Sequence, residues 1–142
     1  MQNYANHGRI DPLYHRILVP VWGLTLIGAC VNLVRSWGDH ERIYSASLIL
    51  VLAACGLLGL FYTRVYPLKA QDRAIRAEEN LRHFVLTGKL LDPRLSVPQI
   101  VALRFACDEE FPALAARAAA EGMAPKDIKT AVKVWRADEY RV

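Results

Sequence analysis

Two long apolar runs without a single charge decide most of what this chain can fold into. The first, Ile17–Val34, reads ILVPVWGLTLIGACVNLV between Arg16 and Arg35; the second, Ile43–Thr63, reads IYSASLILVLAACGLLGLFYT between Arg42 and Arg64. As α-helices they would be roughly 27 and 31 Å long, which brackets the hydrocarbon core of about 30 Å in a bilayer. Helices apolar on every side could hide in a water-soluble protein only under several further layers of chain. With 142 residues in all, too little remains to build those layers. The expectation is therefore two membrane spans. The connection between them, RSWGDHER, is short and turns through Gly38 and Asp39, so the spans must run antiparallel and leave both termini on one side.

Charge supplies the orientation. The basic excess flanks the outer ends of the pair, with Arg9, Arg16, Arg64, Lys69, Arg73 and Arg76, whereas the connection offers Arg35 and Arg42 alone. Positive-inside bias then places both termini in the cytoplasm. Aromatic residues fit that frame as interfacial anchors, Tyr14, Phe61, Tyr62 and Tyr66 on the inner side and Trp37 and Tyr44 on the outer, while Trp22 lies deep enough to pack. Small residues recur within the runs. Thr25 and Ala29 in the first, and Cys55 and Gly59 in the second, would let the helix backbones approach closely, and Ala53, Gly56 and Gly59 fall at every third place. No Asp, Glu, Lys, Arg or His lies inside either run, so the usual residues of ion or proton translocation are missing. Leu52-Ala53-Ala54-Cys55 has the form of a lipidation signal, but the apolar run continues past Cys55 where a lipid-anchored chain would turn polar. The three cysteines, Cys30, Cys55 and Cys107, form neither a CxxC pair nor a metal-ligand spacing.

Beyond Pro67 the pattern changes to that of a water-exposed helix running on from the second span. Ala70, Ala74, Ala77, Leu81 and Phe84 recur at four, three, four and three residues, a seam suited to close packing against another helix within the chain or in a second copy. Asp72 with Arg76, and Glu78 with Arg82, are acid-before-base pairs four apart. Gly88 can end this helix. Ser96-Val97-Pro98-Gln99 is a capping-box pattern that opens a further helix through Cys107, with Ile100, Leu103 and Cys107 on one stripe. Asp108 can cap a third helix ending at Gly122, and a last helix from Pro125 would carry Ile128, Val132 and Trp135 on one side. The other side of that last helix would carry Lys126, Lys129, Lys133 and Arg136, a basic stripe facing anionic lipid or an acidic protein, or simply water.

No chemistry stands out. His7, His15, His40 and His83 are scattered, and no zinc-protease helix, nucleophile elbow or glycine-rich phosphate loop occurs. Asp108-Glu109-Glu110 is explained by a helix N-terminus alone. The chain carries 18 basic and 14 acidic residues, yet residues 95–142 hold seven of each. A neutral region is a poor match for nucleic acid. The residues thus predict a non-catalytic protein without catalytic, cofactor-binding or metal-binding residues.

Four segments, NHGRIDPLYHRILVP, KAQDRAIRAEENLR, IVALRFACDEEFPALAARA and PKDIKTAVKVWRADEYRV, resemble a family of short bacterial membrane proteins known only as a domain of unknown function. The resemblance covers nearly the whole chain. It implies a bacterial inner-membrane location and two spans with a helical C-terminal region, and it assigns no active-site residue. The expected architecture is all-α: a cytoplasmic tail over 1–16, a two-helix transmembrane hairpin over 17–66, a helix extending from the second span over 67–92 and a cytoplasmic helical bundle over 93–142. Its expected partners are the lipid bilayer and either a membrane protein or a second copy of itself, with no nucleic acid. The expected role is an accessory or assembly subunit of a larger membrane complex. The competing roles are a self-associating scaffold or sensor whose basic last helix touches anionic lipid and, third, a membrane enzyme or transporter component.

Overall fold

The computed structural model describes residues 3–6, 8 and 10–138, and among them it is all-helical, with no strand. Five α-helices follow one another: α1 (Val19–Arg35), α2 (His40–Thr87), α3 (Val97–Leu103), α4 (Phe111–Glu121) and α5 (Pro125–Ala131). A π-helical turn, Tyr14–Leu18, leads directly into α1. Two compact units divide the chain, Arg9–Tyr66 and Pro67–Val142, the second taking in Met1–Gly8 as well.

In the first unit, Asp11 starts the helical path by accepting the Tyr14 N–H at 2.8 Å. The π turn then comes immediately before Pro20, in the first turn of α1. A proline ring lacks the N–H and crowds the carbonyl four residues back, so a widened turn there accommodates it. Helix α1 ends at Ser36, Gly38 takes a φ of +91°, and Asp39 opens α2 by accepting the N–H groups of Glu41 and Arg42 at 3.1 and 3.2 Å. Tyr14 and Trp22 tie the helical segments to each other. Tyr14 Oη donates to the Leu60 carbonyl at 2.6 Å, and the Trp22 ring fills the space that a Cβ on Gly56 would need. Residue numbers rise on one side of these contacts and fall on the other, as they do between antiparallel neighbours. The buried residues here are small: Ala29, Ser36, Ala46 and Ala53.

The large apolar side chains of the same unit point outward. Leu24 and Leu52 are 68% and 67% exposed, and Ile17, Val21, Ile27, Val31, Val34, Ile49, Val51 and Leu58 are exposed as well. Both helical segments, Tyr14–Arg35 and His40–Thr87, are long and apolar enough to cross a membrane.

The second unit is built the other way round. Its core gathers Leu91, Leu95, Ile100, Leu103, Phe111, Leu114, Ile128 and Val132, with Phe111, Leu103 and Ile128 completely enclosed. Helix α2 stops where Gly88 adopts φ +72° and donates to the Phe84 carbonyl at 2.8 Å. Asn80 Oδ1 then accepts the Leu91 N–H at 2.9 Å, turning the chain back toward the helix. At α3 the Gln99 side chain reaches back to the Ser96 N–H at 2.8 Å, as a capping box requires, and its amide nitrogen donates to the Met123 carbonyl at 2.9 Å. Gly122, at φ +61°, closes α4.

Three sequence expectations fail in this unit, each because of a contact distant in sequence. Helix α3 ends at Leu103 and does not reach Cys107, because Ala106 pairs with Trp135 in an antiparallel bridge. Asp108 does not cap α4; it turns to Arg82, and the residue before the helix is Glu110. The last helix ends at Ala131. Val132 is extended, Lys133 and Val134 bend, and Trp135 joins the bridge to Ala106. Glu110 holds this segment by accepting the N–H groups of Lys133 and Val134 at 3.1 and 3.2 Å.

Candidate functional site

The densest polar arrangement among the described residues is an ionic hub on the bundle side of α2. Glu79 and Arg82 lie one helical turn apart and face the same way, so their side chains meet at 2.9 Å. Both are withdrawn from water, with 6% and 11% of their side chains exposed. Arg82 also donates to Asp108 at 2.7 Å through Nε and to the Ala106 carbonyl at 2.7 Å, and its guanidinium sits 4.4 Å over the Phe111 ring. Arg136 approaches the other Glu79 oxygen at 3.6 Å. Two acids and two bases therefore neutralise one another, and the planar guanidinium of Arg82 serves three acceptors at once. The hub ties α2 to the turn before α4 and to the extended segment after α5. The i,i+4 pair Glu78–Arg82 expected from the sequence gives way to Glu79–Arg82, because Arg82 points into the bundle and Glu78 stays exposed.

Beside the hub lies a cleft of about 280 Å³ lined by Gln71, Ile75, Glu78, Arg104, Arg136 and Asp138. Arg104 pairs with Asp138 at 2.8 Å and lies over the Phe105 ring at 4.4 Å. Cys107 hydrogen-bonds Glu109, which pushes its thiol pKa up and holds the Glu109 carboxyl below its ordinary value. A thiol held protonated is a weak nucleophile. No cluster of three or more His, Cys, Asp or Glu side chains among the described residues could hold a metal ion.

The basic stripe does not exist as a helical face. Lys126 is exposed near the start of α5, and Lys129 is half-buried with its ammonium 5.8 Å over the Phe105 ring. Lys133 and Arg136 lie beyond the helix end, one with its backbone bound to Glu110 and the other facing Glu79. The 3.6-residue period that would align the four bases stops at Ala131.

The small residues of the first unit divide. Ala29 is buried, but Thr25 and Cys55 are exposed and nothing lies within contact distance of a Cβ placed on Gly59. Close packing in that unit falls instead to Gly56 under Trp22 and to the buried Ala46 and Ala53. Ala70, Ala74, Ala77 and Leu81 all remain exposed, and so does Phe84. The bundle packs on the opposite side of α2, through Ile75, Glu79 and Arg82.

With this geometry in view, comparison with known proteins adds one assignment. A family of unknown function, DUF6526, matches residues 1–142. The chain belongs to that family. No curated protein and no solved structure shows a match to it. Membership in DUF6526 therefore covers both units and leaves the hub, the cleft and the exposed α2 face to be interpreted from their own physics.

Proposed function

We propose that this member of DUF6526 is a non-catalytic integral protein of the bacterial inner membrane, with two spans and both termini cytoplasmic. It works as an accessory or assembly subunit of a larger membrane complex. The observation that carries the membrane part is the outward-facing apolar surface of Ile17–Val34 and Ile43–Thr63, extended over both helices. Soluble monomers rarely expose contiguous apolar patches beyond a few hundred Å². Hydrocarbon is the solvent that makes such a surface favourable, and helices satisfy their own backbone hydrogen bonds within it. Arg16, Arg64, Lys69, Arg73 and Arg76 against Arg35 and Arg42 alone support the cytoplasmic placement of both ends.

The second unit supports a binding role. Four of its charged side chains, Glu79, Arg82, Asp108 and Arg136, are engaged with one another in the hub, which braces a small bundle, while an apolar face of α2 stays uncovered. That face also favours a second reading, a self-associating membrane scaffold. The lipid-sensing version of that reading loses its support with the basic stripe.

Native mass spectrometry of the tagged chain, released from its own membranes in mild detergent, tests the role. A stoichiometric complex with other subunits is the expected result; a homo-oligomer carrying only lipid replaces it with the scaffold. Alkaline carbonate extraction tests the location. The chain should stay in the membrane pellet, and its release into the supernatant would overturn the two-span reading.

A further inference from the structure

The part of α2 beyond Pro67 has two unlike sides. Ile75 and Glu79 are buried and Asp72, Arg82 and His83 are half-buried, so the bundle occupies one side fully. On the other, Ala70, Ala74, Ala77, Leu81 and Phe84 form a continuous apolar seam, flanked by Val85. Leu81 is 63% exposed, Phe84 49% and Val85 74%, so the apolar strip is contiguous and uncovered at this end of the helix. Spacings of four, three, four and three make this seam the a and d positions of a coiled coil. The bundle packs mainly against the b, c and f positions and reaches Asn80 at a g position through the Leu91 N–H, while the seam residues themselves stay exposed.

We infer that the seam is covered by the same seam of a second copy, in register and parallel, as a short two-stranded coiled coil. The flanking charges point to this occupant. Arg73 precedes the seam residue Ala74 and Glu78 follows Ala77, the g and e positions that face each other across a parallel pair. Arg73 of each copy then meets Glu78 of the other, twice by symmetry. Both residues are exposed, and neither forms an ion pair among the described residues. An antiparallel pair would set Arg73 against Asn80 and Glu78 against Gln71, with no attraction in either. The parallel sense also follows from the proposed membrane reading, on which this inference rests, since two copies inserted alike can only lie parallel. Three alanines allow close backbone approach at one end, and Leu81 and Phe84 supply apolar area at the other. Two heptads associate weakly in free solution, but confinement to one bilayer raises the effective concentration of the partner.

Disulfide cross-linking of the full chain in native membranes tests this. In a background of Cys30→Ala, Cys55→Ala and Cys107→Ala, the added substitution Ala77→Cys places a thiol on the seam, and Arg76→Cys places one beside it on an exposed position. Copper phenanthroline should give a covalent dimer with Ala77→Cys and little with Arg76→Cys, because only the former brings the two Cα atoms within disulfide reach. Adding Arg73→Glu should lower the dimer yield about twofold to fivefold, and Arg73→Glu with Glu78→Lys should restore it. Equal yields at the two positions, as lipid covering the seam would give, overturn the inference. So does a covalent adduct with a different protein in place of the dimer, or a charge swap without rescue. Carbonate extraction of the same membranes reports the membrane reading separately: a chain retained in the pellet but not cross-linked defeats only the dimer.

Discussion

Residues 10–66 and residues 67–138 use the same helix and the same apolar residue types to opposite ends. In the first unit the large side chains face outward and the buried positions are Ala29, Ala46 and Ala53, with one aromatic ring laid on Gly56. In the second, Phe105, Phe111, Leu103 and Ile128 are enclosed, and a buried carboxylate, Glu79, is enclosed with its ionic partner Arg82. The difference shows what drives each to form. On the proposed membrane reading, water makes burial of Phe111 worth about 2–3 kcal/mol, whereas hydrocarbon would offer no such gain between helices and would leave close contact of small residues as the source of association. Polar groups follow the same division. Among the described residues the first unit has one side-chain bond linking its helical segments, Tyr14 to Leu60, whereas the second gathers Glu79, Arg82, Asp108 and Arg136 into one hub.

The largest effect that would break the contrast comes from Arg82. Arg82→Ala removes the short pair to Glu79 and the bonds to Asp108 and the Ala106 carbonyl, leaving a buried carboxylate with Arg136 alone at 3.6 Å. The expected loss is about 3 kcal/mol in the second unit, with no change in the first. Arg82→Lys restores the charge but not the planar fork, so it should recover only part of that stability. Thermal unfolding in mild detergent, followed by near-ultraviolet circular dichroism, measures both. A loss below about 0.5 kcal/mol would make the hub an ordinary surface network.

A smaller effect tests the other half. Gly56→Ala places a methyl group inside the Trp22 ring, so the helices must separate or the indole must turn, at a cost of about 1–2 kcal/mol. In the Trp22→Ala background the same substitution should cost almost nothing, and the coupling between the two is the decisive quantity. Titration with sodium dodecyl sulfate from mild detergent micelles reads it. Additive losses would mean that Trp22 and Gly56 do not pack against each other in the bilayer-like environment.

What the sequence made legible, and what it did not, divides along the same line. Charge-free length marks the two helices directly, and Gly88, Ser96 with Gln99, and Gly122 mark their own turns because each answers a local backbone demand. Trp22 is expected to pack, but nothing in the sequence names Gly56 over Gly59 as its seat, since small residues recur on more than one side of the second run. The end of α5 is set from afar. Pro125 through Trp135 has a plausible helical period, and the carboxylate of Glu110 and the pairing with Phe105 and Cys107 draw Val132 to Arg136 out of it. The basic stripe is lost with that helix end. Likewise Arg82 has an acid at both i−3 and i−4, and only tertiary packing selects Glu79 over Glu78.

The smallest expected effect separates exposed charge from the enclosed hub. Asp92 binds Arg94 through a carboxylate–guanidinium pair at 2.6 Å, and the Arg94 hydrogen bonds lower its pKa from 3.8 to about 2. A depressed carboxyl stabilises the folded form above its unfolded pKa and loses that contribution as the pH falls through the folded one. The window is therefore about pH 4 down to about pH 2, and above it the pair is fully formed. Asp92→Asn should lower stability slightly near neutral pH, and its difference from the natural chain should vanish once the pH falls below about 2. Added salt should shrink the difference as well, because this pair faces water. Carboxyl-detected nuclear magnetic resonance in micelles follows Asp92 directly, and a midpoint close to 3.8 would mean that Arg94 does not hold it in solution. The Arg82 effect should instead persist in high salt, since ions do not penetrate between side chains as enclosed as Glu79 and Arg82.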